Sequence, residues 1–322
     1  MSTLSTFILG IDVSKKKLDV VLLLDNKTLT KKFDNTEKGF RLLAGWLRSL
    51  HLEQVHACLE ATGSYSDAAA EFLFEKGHQV SIVNPLQIKG YAQSSLKRNK
   101  TDRSDARLIA DFCRTQNPVL WKPFPPEIKY LQSLTRRIET LQEMLQMERN
   151  RLHTANRQVA PSIKRVIIQL EKEIGAIESL IKDHLDNNPD LKRQQELLKT
   201  IPGISDKTAN LLLSELEFSR FDNARQVAAM CGVTPGKRRS GTSLNQTSVS
   251  KIGSSRIRQG LYFPAIVAKQ HNKIIKEFAK RLEKNGKTPK QIICAAMRKL
   301  LHIAFGVLKH KTSFNPNVAV PA

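Results

Sequence analysis

The chain has 322 residues, length for about two domains, and its 40% hydrophobic content argues against wholesale disorder. Lysine and arginine number 52 against 30 aspartate and glutamate, leaving a net charge of +22. Solubility needs far less, so a polyanion is the natural partner, with nucleic acid ahead of an anionic membrane surface. No apolar run approaches the roughly 18 residues of a spanning helix, and the start MSTLSTF lacks a charged region and signal core. A soluble, unexported protein with no membrane partner is expected. Cys58, Cys113, Cys231 and Cys294 lie far apart without a CxxC pair, which argues against a zinc knuckle or a disulfide framework and fits a reducing compartment.

Charge is unevenly spread. Residues 1–125 carry 18 basic and 13 acidic side chains, residues 126–196 carry 12 and 11, and residues 197–322 carry 22 and 6. The last third is where phosphates are expected to be gripped.

In chain order, FILGIDVSKKKLDVVLLL and TLTKKF, separated by the turn signal DNK, read as an opening hairpin. GFRLLAGWLRSL has helical periodicity, VHACLEATG is a short apolar strand, SDAAAEFLFEKG a helix ending at Gly77, and HQVSIVNP a strand stopped by Pro85. Hairpin strands followed by alternating helix and strand predict a mixed α/β sheet. From about residue 127, Leu131, Leu134, Ile138, Leu141, Leu145 and Leu152 keep a heptad rhythm, repeated past Pro161 by Ile163, Ile167, Leu170, Ile174, Ile177 and Ile181. Two long amphipathic helices follow, either folded as an intramolecular hairpin or paired with another copy as a coiled coil.

The last third opens with LLKTIPGISDKTANLLLSEL, a helix broken at Pro202 and Gly203 and restarted near Ser205. It is similar to a helix-hairpin-helix, whose exposed N–H groups around Gly203 would hold a DNA phosphate, although Ser205 stands where a second glycine is usual; the other reading is a plain turn. A basic Gly/Ser-rich loop, PGKRRSGTSLNQTSVSKIGSSRIRQG, precedes helices around 260–283 and 288–308.

Four acids stand out. Asp12 interrupts the first apolar strand, and Glu60 ends the apolar VHACLE before a turn. A buried charge there costs several kcal/mol unless a partner or cation compensates it. Asp102 and Asp105, three apart in KTDRSDARLIADF, share a helix face that continues into Ile109 and Phe112. Convergent at the sheet's ends, the four would need a divalent ion, and oxygen ligands without His or Cys select Mg2+, with Mn2+ as substitute. Singly, each has a plainer reading as cap, solvated residue or ion-pair partner. Tyr91, Gln93, Lys97, Arg98 and Lys100 form either nucleic-acid contacts or a solvated basic loop, and Arg256 and Arg258 have the same two readings. Ser240, after Lys237, Arg238 and Arg239 and before Gly241, is an alcohol in a field that would stabilise an alkoxide, or a hydroxyl that only touches phosphate.

The motifs GIDVSKKKLDV, CLEATGSY, VNPLQIKGYAQS, RNKTDRSDARLIADFCR, IPGIS and AAMCGVTPGKRRSGTS, in this order, resemble the DEDD insertion-sequence transposases of the one-ten family, relatives of Piv-type DNA invertases and known as bridge-RNA-guided recombinases. The resemblance spans essentially the whole chain. It implies an α/β RNase H-like (RuvC-like) N-terminal domain at 1–125, a long helical coiled-coil linker at 126–196, and a mainly α transposase domain with a helix-hairpin-helix-like motif at 197–322. It also implies that Asp12, Glu60, Asp102 and Asp105 are the metal-binding DEDD carboxylates and that Ser240 is the nucleophile, with Thr242 and Ser243 as close hydroxyls. Further implications are a 5′-phosphoserine intermediate and a tetramer in which one subunit's RuvC-like domain meets another's transposase domain. A structured guide RNA pairing with target and donor double-stranded DNA is implied too, as is a cytoplasmic, nucleoid-associated setting in a prokaryote. The rivals are a RuvC-like nuclease or junction resolvase using activated water, and a non-catalytic nucleic-acid-binding protein.

Overall fold

The computed structural model describes residues 7–25, 27–61, 63–94, 102–240, 244–250 and 252–317; at 64, 102, 103, 237–240 and 244–248 it describes the backbone alone. The chain forms two compact units, Met1–Pro123 and Phe124–Ala322.

In the first unit, β1 (Ile8–Val13), β2 (Lys17–Leu23) and β3 (Thr28–Asp34) form an antiparallel meander, and β4 (His56–Glu60) and β5 (Gln79–Val83) add to it parallel to β1. The sheet order is β3-β2-β1-β4-β5, which fits the expected RNase H-like domain. Alternation along the strands gives the sheet two apolar faces. Leu9, Ile11, Leu18, Val20, Ala57 and Leu59 pack under α1 (Glu37–Ser49) and α2 (Ser64–Glu75). Ile8, Val21, Leu23 and Cys58 face α4 (Asp102–Gln116), with α3 (Pro85–Ser94) beside it. The stretch around Tyr91 and Gln93, considered above as a loop, is therefore helical. Thr36 caps α1 by accepting from the Gly39 N–H.

The second unit begins with α5 (Pro126–Thr154) and α6 (Ala160–Asp186), which pack on each other as a helical hairpin within one chain. An ion pair of 2.8 Å between Arg149 and Glu171 crosses it, as does the hydrogen bond between the His184 ring and the Glu127 carbonyl at 2.8 Å. The helical stretch is not a separate body. Leu131, Leu134, Ile138, Ile181 and Leu185, at the end of the hairpin nearest α7 (Pro189–Lys199), join the core built by α8 (Asp206–Glu215), α9 (Ala224–Met230), α10 (Ser255–His271) and α12 (Pro289–His310). Farther out, Ile163, Ile167, Leu170 and Ile174 are only half-buried.

Three expectations are corrected here. The basic loop contains β6 (Pro235–Ser240) and β7 (Leu244–Val249), an antiparallel hairpin, because polar side chains do not prevent backbone pairing. The helix expected over 260–283 divides, since Asn272 takes an extended conformation and caps α11 (Lys273–Lys284) by accepting from the Ile275 N–H. One helix, α12, is long and apolar enough to cross a membrane by composition, but its Ile292, Ala296, Leu300, Leu301, Ile303 and Ala304 are buried within the unit.

Candidate active site

A glycine sets the site's geometry. A Cβ built on Gly10 would lie 2.3 Å from the Ala106 carbonyl oxygen and 2.5 Å from the Ala110 nitrogen, so α4 rests directly on the β1 backbone. Side chains alternate along a strand, and Asp12, two residues on, faces the same side. The β1–β4 register pairs Ile11 with Leu59, which sets Asp12 level with Glu60 on neighbouring strands, about 4.8 Å apart by sheet geometry. Both are half-buried and both engage other groups.

The direction of α4 follows from its other end. Cys113 Sγ lies 3.5 Å from His56 Nδ1, and His56 opens β4, paired with Ile8 at the start of β1. The last turns of α4 thus lie over the beginnings of these strands, and its first turns, which carry Asp102 and Asp105, lie toward Asp12 and Glu60. The helix also directs the positive end of its dipole at the acids. Asp105 is half-buried; of Asp102 only the backbone is described.

A fifth acid escaped the sequence reading. Asp19, directly opposite Asp12 in the β1–β2 register, is 8% exposed and pairs with Lys32 of β3 at 2.7 Å. Its signal was the one that exposed Asp12, an acid inside an apolar strand, KLDVVLL. All these donors are oxygens, a set suited to Mg2+ rather than zinc. Among the described residues, no three His, Cys, Asp or Glu side chains group closely enough to hold an ion. The side chain of Asp102 lies outside that set.

At the opposite ends of these strands runs a buried polar chain. Ser81 Oγ is 2.9 Å from the Val119 carbonyl oxygen, His56 Nε2 is 2.8 Å from Ser81 Oγ, and Cys113 contacts His56 Nδ1. Since Ser81 has one proton, donated to a carbonyl, His56 Nε2 must donate to Ser81. The hydrogen bond with Cys113, followed by burial, pushes the Cys58 thiol far up, so it stays protonated.

Tyr91 packs edge-on against Phe112 at 5.5 Å, and its hydroxyl lies 3.2 Å from Thr115 Oγ1, beside α4; Gln93 is exposed on α3. Lys97, Arg98 and Lys100 lie outside the described residues.

In the second unit, Ser240 is the last residue of β6, paired with Leu244 at the tip of the hairpin. Lys237, Arg238 and Arg239 precede it on the same strand, again described by backbone alone; Thr242 and Ser243 lie outside the described residues. Arg256 reaches Glu139 and Glu215 at 3.4 Å each, and Glu215 also holds Arg136 at 3.1 Å, joining α10, α5 and α8. Arg258 Nη1 donates to the carbonyls of Cys231 at 3.2 Å and Gly253 at 3.0 Å. Both guanidinium groups are therefore engaged inside the unit. Gly203 has φ +105°, and a Cβ there would meet Ala268 Cβ and the Pro264 carbonyl oxygen at 2.8 Å, so close packing on α10 alone demands glycine. Ser205 begins α8 with its hydroxyl 3.3 Å from that of Thr208, and Lys199 pairs with Asp206 at 2.6 Å.

The family model for DEDD transposases of the IS110 type, described as "Transposase", matches residues 9–161, and that for "Transposase IS116/IS110/IS902 family" matches residues 195–280. The first contains all four carboxylates and the second contains Ser240. The chain is 33% identical over 315 residues to the pilin gene-inverting proteins of Moraxella bovis and Moraxella lacunata, covering 96% of this chain and 98% of each relative. Among solved structures, T. thermophilus RuvC in complex with a Holliday junction substrate is 13% identical, with a TM-score of 0.28, covering 36% of this chain and 100% of that one. The chain belongs to the IS110-type DEDD transposases related to the pilin gene-inverting proteins, enzymes of DNA recombination.

Proposed function

We propose that this transposase cuts and rejoins DNA through a 5′-phosphoserine at Ser240, with magnesium held by Asp12, Glu60, Asp102 and Asp105. The observation that carries the reading is the level placement of Asp12 and Glu60 on one sheet face, beneath the acid-bearing end of α4. In the step, the Ser240 Oγ–P bond forms as the P–O3′ bond breaks, and the serine proton ends on the released 3′-hydroxyl. Rejoining is the reverse attack by a partner strand's 3′-hydroxyl. A bound divalent ion would supply charge neutralisation at the phosphoryl group and lower the serine's proton affinity. Lys237, Arg238 and Arg239 bring positive charge to the strand that ends at the nucleophile, which favours a phosphate there.

The reading extends to a structured guide RNA that pairs with target and donor DNA, to a homotetramer, and to action on the DNA of a prokaryotic cytoplasm. The half-buried apolar row of α6 suits association of copies. The relatives' name, pilin gene-inverting protein, supports inversion as well as insertion of DNA segments.

The test incubates the protein with Mg2+, flanking RNA and cognate DNA, then denatures it and looks for a protein–DNA adduct. An adduct is expected, lost in Ser240→Ala and in Asp12→Asn. Cleavage that persists in Ser240→Ala without an adduct would favour the water-activating junction resolvase. DNA affinity that falls steeply with salt is expected from the +16 excess of residues 197–322.

A further inference from the structure

The hairpin that ends in Ser240 has a root built unlike an ordinary loop closure. Gly232 (φ +65°) and Gly253 (φ +135°) flank it in backbone conformations that L side chains rarely adopt. A Cβ on Gly253 would lie 2.3 Å from the Met230 carbonyl oxygen and 2.6 Å from the Gly232 nitrogen, and one on Gly232 would lie 2.8 Å from the Ile252 carbonyl oxygen. The two ends of the segment therefore touch backbone to backbone. The Ser254 N–H donates to the Met230 carbonyl at 3.1 Å, and the Ser250 N–H donates to Thr234 at 2.9 Å. Arg258, one turn into α10, closes this junction: a single guanidinium nitrogen binds Cys231 O before β6 and Gly253 O after β7. Cys231 and Val233 are buried in the core, so the junction is fixed to the body of the unit.

We infer that Arg258 is a positioning residue for strand cleavage, the pin that sets the direction of the Ser240 hairpin, an inference that rests on Ser240 being the nucleophile. The argument is one of leverage. Six residues of strand reach about 20 Å, so a tilt of about 3° at the root moves the tip by about 1 Å. Misplacement of a reacting atom by about 1 Å lowers a rate on the order of 100-fold. Two strands alone are marginal in water, which leaves the root to define where the tip points. Arginine suits the task because it holds several donors in a rigid fork, whereas a lysine ammonium on a flexible stem does not fix a direction.

The test uses full-length Arg258→Ala and Arg258→Lys with Mg2+, flanking RNA and DNA. It follows adduct formation, DNA affinity and amide hydrogen exchange across residues 235–249. Adduct formation is expected to slow about 100-fold in both variants while affinity changes less than about threefold. Exchange in the hairpin should quicken, and added ethylguanidinium should restore the rate in Arg258→Ala. Wild-type rate and exchange in Arg258→Ala would overturn the inference. So would an affinity loss as large as the rate loss, which would make Arg258 a phosphate contact, or full activity in Arg258→Lys, which would leave charge alone as its role. Should Arg258→Ala fail to fold, Arg258→Lys carries the same comparison. Ser240→Ala separates the two readings: an adduct that survives it sinks the nucleophile, while hairpin exchange still decides whether Arg258 pins the root.

Discussion

The two regions proposed to carry the chemistry of this recombinase are held in opposite ways. Asp12 and Glu60 sit on adjacent strands of a five-stranded sheet, with α4 laid on Gly10 and no room to shift. Ser240 ends a two-stranded hairpin joined to its unit at the root. Under the proposed mechanism the carboxylates share a metal and need fixed mutual spacing, which a sheet register supplies. Under the same proposal Ser240 must approach a phosphate, become covalently joined to DNA and later release it, a task that suits an arm. The contrast predicts that damage to the first region appears as lost stability, and damage to the second as lost rate with the fold intact.

The largest effect should come from Gly10→Ala. Its methyl would collide with the α4 backbone, and the first unit should lose about 3 kcal/mol, along with recombination. Urea denaturation reads this directly, and an unchanged midpoint would mean that α4 does not rest on β1 as described. Gly253→Ala places a comparable clash at the hairpin root, where it strains the attachment of a two-stranded hairpin rather than the seat of a helix on a five-stranded sheet. Adduct formation should fall about 100-fold while stability drops only about 1–2 kcal/mol. If the two alanine variants behaved alike, the distinction between sheet and arm would collapse.

A smaller effect concerns acid. Burial, then the charges of Arg298, Lys299 and Arg225, lower the pKa of His302 to about 4 from the ordinary 6.5. The unfolded chain then binds a proton that the folded one refuses between those values, so stability rises with pH across this window and is lost as pH falls from about 6.5 to about 4. The loss from this one residue is at most about 3 kcal/mol and belongs to the second unit, where α12 lies. Thermal melts of His302→Gln should show a flatter profile over that range; a slope equal to wild type would assign the acid sensitivity elsewhere. Smallest of all, Lys32→Ala leaves Asp19 without this partner beside Asp12, and because Lys32 is largely exposed the expected loss is about 1 kcal/mol. Magnesium affinity measured by calorimetry should tighten in that variant, since a positive charge leaves the site face; unchanged affinity would show that Asp19 does not sense the ion.

Much of the first region was legible because its signals are violations of pattern. Asp12 and Glu60 break apolar strands, and the sheet, with helices on both faces, follows from alternation and periodicity. Asp19 was passed over although it breaks the same pattern, because only the register reveals that it faces Asp12. The second region hid more. PGKRRSGTSLNQTSV offers no alternation of polar and apolar residues, so hairpin pairing was invisible, and the division at Asn272 is a capping event that periodicity does not record. Heptads gave two helices but not their partner, which proved to be each other and the C-terminal core. Arg256 and Arg258 looked like exposed cations, and their carboxylate and carbonyl partners lie too far away in sequence to be foreseen.

The order of the sheet also bears on how the protein behaves in concentrated solution. At one margin, β5 is covered by the segment around Trp121, whose N–H donates to the Val80 carbonyl at 2.7 Å. At the other, β3 is the margin strand and carries Lys31 and Lys32, with Lys31 lying over the rings of Phe33 and Trp46. Repulsion between like-charged strands disfavours edge-to-edge growth of the sheet into a continuous β-aggregate. The lysines of β3 thus protect colloidal stability, and their neutralisation by a bound polyanion would remove that protection.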